Sequence, residues 1–175
     1  FDAVMPLVKK YGAAVVVGTI DEIGMAVTRD KKLQVAKRSY ELLTEKWGLA
    51  PQDIIFDPLM FPVGTGDEQY IGAAEETIEG IRLIKQELPG VLTAPGVSNI
   101  SFGLPPVGRE VLNAVYLYHC TQAGLDYAIV NTEKLERYAS IPEAEIEMAN
   151  DLIFRTNDET LAKFTEFYRG KKKEA

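Results

Sequence analysis

This chain is poor in the residues that carry most metal and redox chemistry. Its 175 residues include one cysteine, Cys120, and one histidine, His119. A lone cysteine forms no internal disulfide, which suits a reducing cytoplasm. His119 and Cys120 are neighbours on a segment that reads as a helix, where adjacent side chains diverge, so they cannot converge on one ion. No metal site is expected. His119 reads as a helix residue near the surface and Cys120 as a small core residue. There is no Gly-x-Gly-x-x-Gly after a strand and no Walker A sequence. Long apolar runs are missing as well. The strand-like Ala13-Ala14-Val15-Val16-Val17 is typical, whereas a bilayer span needs about 20 apolar residues. The start, Phe1-Asp2-Ala3-Val4-Met5-Pro6, has no basic block leading into an apolar one, so it is no signal peptide. It also lacks an initiator methionine, which places it inside a longer chain or at a processed end. Positive charge is scarce: 19 Lys and Arg face 26 Asp and Glu, a net charge of -7. Such a chain repels a phosphate backbone, so nucleic acid is not an expected partner. The one basic cluster, Lys171-Lys172-Lys173, reads as a solvated tail.

What is present is ordinary for one globular domain: 46% hydrophobic and 26% charged residues. Strand and helix patterns alternate. A helix over residues 1–11 precedes the strand at 13–17. The next helix carries Leu33, Ala36, Tyr40, Leu43 and Trp47 at helical spacing, with Thr28 as N-cap and Gly48 as the stop. The second strand is Asp53-Ile54-Ile55-Phe56-Asp57, closed by Pro58, and a Pro- and Gly-rich loop spans 59–66. A helix with Ile71, Ala74, Ile78, Ile81 and Leu88 on one face follows. The third strand, 91–94, runs into Pro95-Gly96-Val97-Ser98-Asn99. A third helix runs from about Arg109 to Ala123, with Gly124 past its end. The fourth strand is Tyr127-Ala128-Ile129-Val130. Residues 156–175 read as a terminal helix and basic tail.

Repeated βα units imply a parallel α/β sheet with right-handed crossovers. Two architectures fit: half of a (βα)8 barrel, or a small doubly wound sheet. Both place ligands at the C-terminal strand ends. The polar residues there are Asp21, Asp57, Ser98, Asn99 and Asn131. Carboxylates and carboxamides suit a ligand rich in hydrogen-bonding groups and do not make a strong nucleophile. Each also has a plainer reading. Asp57 suits an Asp-Pro turn, Asn99 a left-handed turn position, and Asn131 a helix cap.

Three segments go further. Asp-Ile-Ile-Phe-Asp-Pro at 53–58, Gly-Val-Ser-Asn-Ile-Ser-Phe-Gly-Leu-Pro at 96–105 and Leu-Asp-Tyr-Ala-Ile-Val-Asn at 125–131 resemble the pterin-binding domain of cobalamin-dependent methionine synthases. They also resemble the stand-alone methyltetrahydrofolate:corrinoid methyltransferases. The resemblance runs from residue 1 to about 155. It implies the C-terminal half of a (βα)8 barrel, about strands five to eight, so that 1–175 is a half-domain whose N-terminal half is a missing partner. It implies 5-methyltetrahydrofolate as substrate and a cobalamin carried by another domain or a corrinoid protein. It places Asn99 at N5 as the catalytic residue and Asp57 on the pterin. Ser98, Asn131 and Asp21 follow as pterin contacts from position alone, and Arg109 as a contact to the carboxylates of the folate tail or a surface residue. In the family an Arg often comes directly after the Phe-Gly-Leu-Pro segment, whereas here Pro106-Val107-Gly108 intervene.

The chemistry agrees with that assignment. A tertiary amine leaves badly unless N5 gains a proton or strong hydrogen bonding as its methyl bond breaks. An Asn amide can donate and accept without needing a tuned pKa. An ionised Asp accepts from the pterin's 2-amino group and ring N–H. The competing readings are dihydropteroate synthase, a non-catalytic half-domain and a generic phosphate-binding barrel. The first wants basic residues at the strand ends, where none stands. The last wants a Gly-rich late loop, which Asn131-Thr132-Glu133-Lys134 is not.

Overall fold

The computed structural model describes residues 1–171, so Lys172 and Lys173 of the basic cluster lie outside it. Helix α1, Met5–Tyr11, ends on Gly12 in the left-handed conformation. Strands β1 (Val15–Gly18), β2 (Ile54–Asp57) and β3 (Leu92–Thr93) form a parallel sheet in the order β1-β2-β3. Gly18 pairs with Asp57 and Phe56 with Thr93.

The expected fourth strand is only partly regular. Residues 127–130 run beside β3 and the segment after it, with a single parallel bridge, Gly96 with Ile129. Tyr127 N–H donates to Thr93 O at 2.9 Å, Ile129 N–H to Pro95 O at 3.0 Å, and Val97 N–H to Ile129 O at 3.1 Å. Pro95 has no N–H to extend the ladder, and the chain then tightens into a 3-10 turn at Val97–Ser101.

Helix α2, Arg29–Glu41, is capped by Thr28, whose hydroxyl accepts from Lys31 N–H at 3.3 Å. It runs on as a π-helical turn, Leu42–Lys46, before Gly48. Helix α3 is Ala73–Glu87, so Ile71 lies before it and is exposed, and Ile84 takes a place on the buried stripe. Helix α4, Pro106–Gln122, starts earlier than expected because Pro106 takes its first position, where a missing N–H costs nothing. Helices α5, Glu143–Phe154, and α6, Asp158–Tyr168, close the chain. A reciprocal capping box of Asn157 and Thr160 starts α6. Lys171, the first lysine of the basic cluster, is exposed, with its ammonium 3.6 Å from the centroid of the Phe167 ring.

The sheet is covered on one side. Val17, Ile54 and Phe56 pack against α1, α2 and the end of α3, through Met5, Ala36, Leu43, Ile84 and Leu88. A second cluster joins α3, α4, α5 and α6. The alternate strand positions face the other way: Val16 is 65% exposed and Ile55 only half-buried. A doubly wound sheet buries both faces, and this one does not. Asp57 follows Ile55 in that alternation, at the C-terminal end of β2.

Candidate functional site

The chain reverses directly after Asp57. Leu59 has φ +60°, the only positive φ of a non-glycine among the described residues. A left-handed leucine costs on the order of 1 kcal/mol, so its surroundings must hold it. Asp57 Oδ1 accepts from Leu59 N–H at 2.9 Å. Leu59 O accepts from the Thr77 hydroxyl of α3 at 3.0 Å and from the Lys32 ammonium of α2 at 3.2 Å. Lys32 is wholly buried and also donates to Ala26 O at 2.7 Å and Pro58 O at 2.6 Å. Burial lowers its pKa to about 7, against the pull of the Asp57 and Glu76 charges. Burial raises the Asp57 carboxyl above its ordinary value, opposed by the Leu59 N–H and by Lys32. Asp57 thus uses the Asp-Pro turn chemistry, with one oxygen engaged there.

Asn99 sits in the Val97–Ser101 turn, anchored by the fully buried Val97 and Ile100. It is not left-handed. Its side chain is exposed, and a Cβ at Gly96 would come within 3.2 Å of its Nδ2. Gly96 therefore leaves room for the carboxamide. Arg109 braces the turn from α4: its Nε donates to Ser101 Oγ at 3.1 Å and a terminal nitrogen donates to Ser98 O at 3.3 Å.

Asp57 and Asn99 line the same cleft, of about 320 Å³, although they come from different strand ends. Its walls are Met25, Leu59, Met60, Phe61, Pro62, Tyr70 and Phe102. The Phe61 and Tyr70 rings stack with centroids 4.8 Å apart. Apolar walls with a few fixed polar groups are what an orienting small-molecule site needs.

The other expected residues lie elsewhere. Ser98, Arg109 and Asn131 line a separate groove of about 430 Å³ with Asn113 and Lys134. Asn131 Oδ1 accepts from Glu133 N–H at 3.1 Å and caps the short turn Thr132–Lys134, as its plainer reading had it. Asp21 lines neither cavity. It accepts from Ile23 and Gly24 N–H and pairs with Lys31, whose hydrogen bond is the main cause of its lowered pKa. His119 is bonded to Asn150 at 2.7 Å, and Cys120 is buried with its thiol pKa pushed up by desolvation. Neither is placed for chemistry.

Lys32, buried behind the turn that follows Asp57, is the residue that the sequence reading missed. Its signal was a lysine in register with Ala36, Ser39 and Leu43, on the apolar face of an amphipathic helix.

Residues 1–131 match the family described as pterin binding enzyme. The chain belongs to the pterin-binding enzyme family. All five expected strand-end residues and Arg109 fall inside the matched span, Asn131 as its last position, while α5 and α6 lie beyond it. The chain is also similar to the methionine synthases of Mycobacterium tuberculosis and Mycobacterium leprae, 46% identical to each over 154 residues. Those residues are 88% of this chain and 13% of either relative. No helix of the described residues is long and apolar enough to cross a membrane.

Proposed function

We propose that this pterin-binding chain holds 5-methyltetrahydrofolate and presents its N5 methyl group to a cobalamin carried by another domain or by a corrinoid protein. The observation that supports this is the meeting of Asp57 and Asn99 in one apolar-walled cleft at the strand ends. In this reading the Asp57 carboxylate takes the pterin's 2-amino and ring N–H donors, and the stacked Phe61 and Tyr70 rings wall the flat heterocycle. Asn99 hydrogen-bonds N5, where electron density builds as the C–N bonding pair stays on nitrogen and a proton is taken up. It holds no titratable proton, so the proton comes from solvent. Cobalamin supplies the nucleophilic cobalt. Ser98, Arg109 and Asn131, with Lys134, receive the carboxylates of the folate tail. Asp21 serves its own loop, which is bridged from Ile20 to Met25 on the cleft wall.

The one-sided sheet reads as an arc of a (βα)8 wall, the half from about the fifth strand to the eighth, with the N-terminal half as its partner. The mycobacterial relatives favour methionine synthase over a stand-alone methyltransferase. Among the described residues no lysine or arginine lines the cleft, which disfavours a diphosphate substrate of the dihydropteroate synthase kind. The test is a 5-methyltetrahydrofolate titration, followed by single-turnover methyl transfer to cob(I)alamin, on the natural chain that contains these residues. Binding with transfer is expected. Absence of binding overturns the reading, and binding without transfer leaves a non-catalytic folate module.

A further inference from the structure

We infer that Lys32 is a positioning residue which, from inside the molecule, clamps the Pro58–Leu59 turn, aims the Asp57 carboxylate into the cleft and keeps it ionised there. This rests on the proposed folate site.

The geometry separates Lys32 from an ordinary core position. A buried ammonium is expensive unless its protons are taken up. Here the carbonyls of Ala26, Pro58 and Leu59 accept its three protons. No donor remains for a substrate, so the residue acts through the backbone it holds. Two of the three acceptors are the residues directly after Asp57. One of them, Leu59, is the described non-glycine residue held at positive φ. Helix α3 makes room for the lysine stem: a Cβ on Gly80 would lie 2.7 Å from Lys32 Cδ. A leucine or methionine would fill that channel without the desolvation cost, so the cation needs a reason beyond packing.

The counter-charge supplies one. The acidic groups acting on Lys32 are Asp57 from β2 and Glu76 from α3. Glu76 is already engaged by Arg29, whose guanidinium lies 2.7 Å away. Asp57 is left as the anion that the buried cation favours. Its carboxyl is raised by burial, and Lys32 opposes that rise. Protonated Asp57 would offer the pterin edge a donor where an acceptor is required. Lys32 therefore serves the site twice, through the shape of the turn and through the charge state of Asp57.

The experiment measures the 5-methyltetrahydrofolate dissociation constant against pH for the natural chain containing these residues, for Lys32→Met, and for Thr77→Val. The latter loosens the same turn without removing a charge. In the wild type, affinity should fall as pH falls through the raised pKa of Asp57. Lys32→Met should weaken binding about tenfold or more below pH 7, where Lys32 carries its charge, the scale of one lost charge-assisted contact network. It should also move the acid limb to higher pH, because Asp57 loses its neighbouring cation. Thr77→Val should weaken binding a few-fold with the acid limb in place. In an Asp57→Ala background, Lys32→Met should have little further effect.

If the wild type binds folate but Lys32→Met binds within about twofold with an unmoved acid limb, the inference is overturned. It is also overturned if the Lys32→Met loss persists in full without Asp57. Should Lys32→Met fail to fold, unchanged affinity in Thr77→Val would refute the clamp, and weakened affinity would support it. If the wild type binds no folate, the functional reading itself fails and this inference falls with it.

Discussion

Truncating Asn99 should slow methyl transfer far more than it weakens folate binding. The side chain is exposed, and the turn that carries it is anchored by the buried Val97 and Ile100. Asn99→Ala should therefore change stability by no more than about 0.5 kcal/mol, and any kinetic loss belongs to the site. The N5 hydrogen bond strengthens as the methyl bond breaks, so it acts mainly at the transition state. Removing one preorganised group of this kind costs on the order of a hundredfold in rate, about 2.7 kcal/mol. Asp57→Asn is the contrasting variant. Its Oδ1 can still accept from the Leu59 N–H, now bonded at 2.9 Å, so the turn survives. The other oxygen becomes an amide facing the pterin's own donors. Binding should drop about tenfold to a hundredfold, with little further change in the bound-state rate, because that edge is held alike in ground and transition states. The assay pairs a folate dissociation constant with a single-turnover transfer rate for each variant. Equal proportional losses in Asn99→Ala would reduce its role to uniform binding. No loss in either would make it a turn residue only.

Three other expectations concern the scaffold. Asp126 accepts from Thr93 N–H at 2.9 Å and Thr93 Oγ1 at 3.2 Å and pairs with Lys85 at 2.8 Å. Asp126→Ala should lower unfolding stability in urea by about 2 kcal/mol. A loss under about 0.5 kcal/mol would show that the fourth segment stays on β3 without it. Gly108→Ala would place a Cβ 2.8 Å from the Phe164 ring and 2.9 Å from that of Tyr168. It should push α6 off α4 and cost about 1–3 kcal/mol, and an unchanged melting temperature would contradict that packing. Finally, the open sheet face around Val16, exposed together with Ile20 and Ile129, should make the isolated 175-residue chain sediment as a dimer or larger. A stable dilute monomer would count against the half-barrel reading.

The order of the βα elements and the strand ends that carry Asp57 and Asn99 were legible because each rests on local signals: β-branched runs, helical spacing, and Pro or Gly at the boundaries. Thr28 and Gly48 marked α2 for the same reason. The errors came where a neighbour overrides a local pattern. Ile71 matched the spacing of α3, yet the left-handed Gly72 starts the helix after it. The fourth strand looked as regular as the others, but its partner edge is interrupted by Pro95. Lys32 was passed over because a lysine is read as solvent-facing until the acceptors around it are seen, and two of its three carbonyls lie far along the chain. Asp21 was grouped with the site by position alone, and in the structure it is bonded to Lys31 and to its own loop. The strand-end rule put Asp57 and Asn99 at one end of the sheet, and the resemblance gave each its expected role.

The thin attachment of residues 127–130 bears on the timing of motions at the cleft. This segment is the last of the sheet and is held by few backbone bonds, and Tyr127 and Ile129 are more than half exposed. Elements so lightly tied are the first to open in native-state hydrogen exchange. One of those bonds is Val97 N–H to Ile129 O, and Val97 is the first residue of the turn that presents Asn99. Each excursion of the edge thus releases the base of that turn. A neighbour packed along this edge should therefore slow hydrogen exchange at the Val97 amide and narrow the range of Asn99 orientations, without touching the cleft.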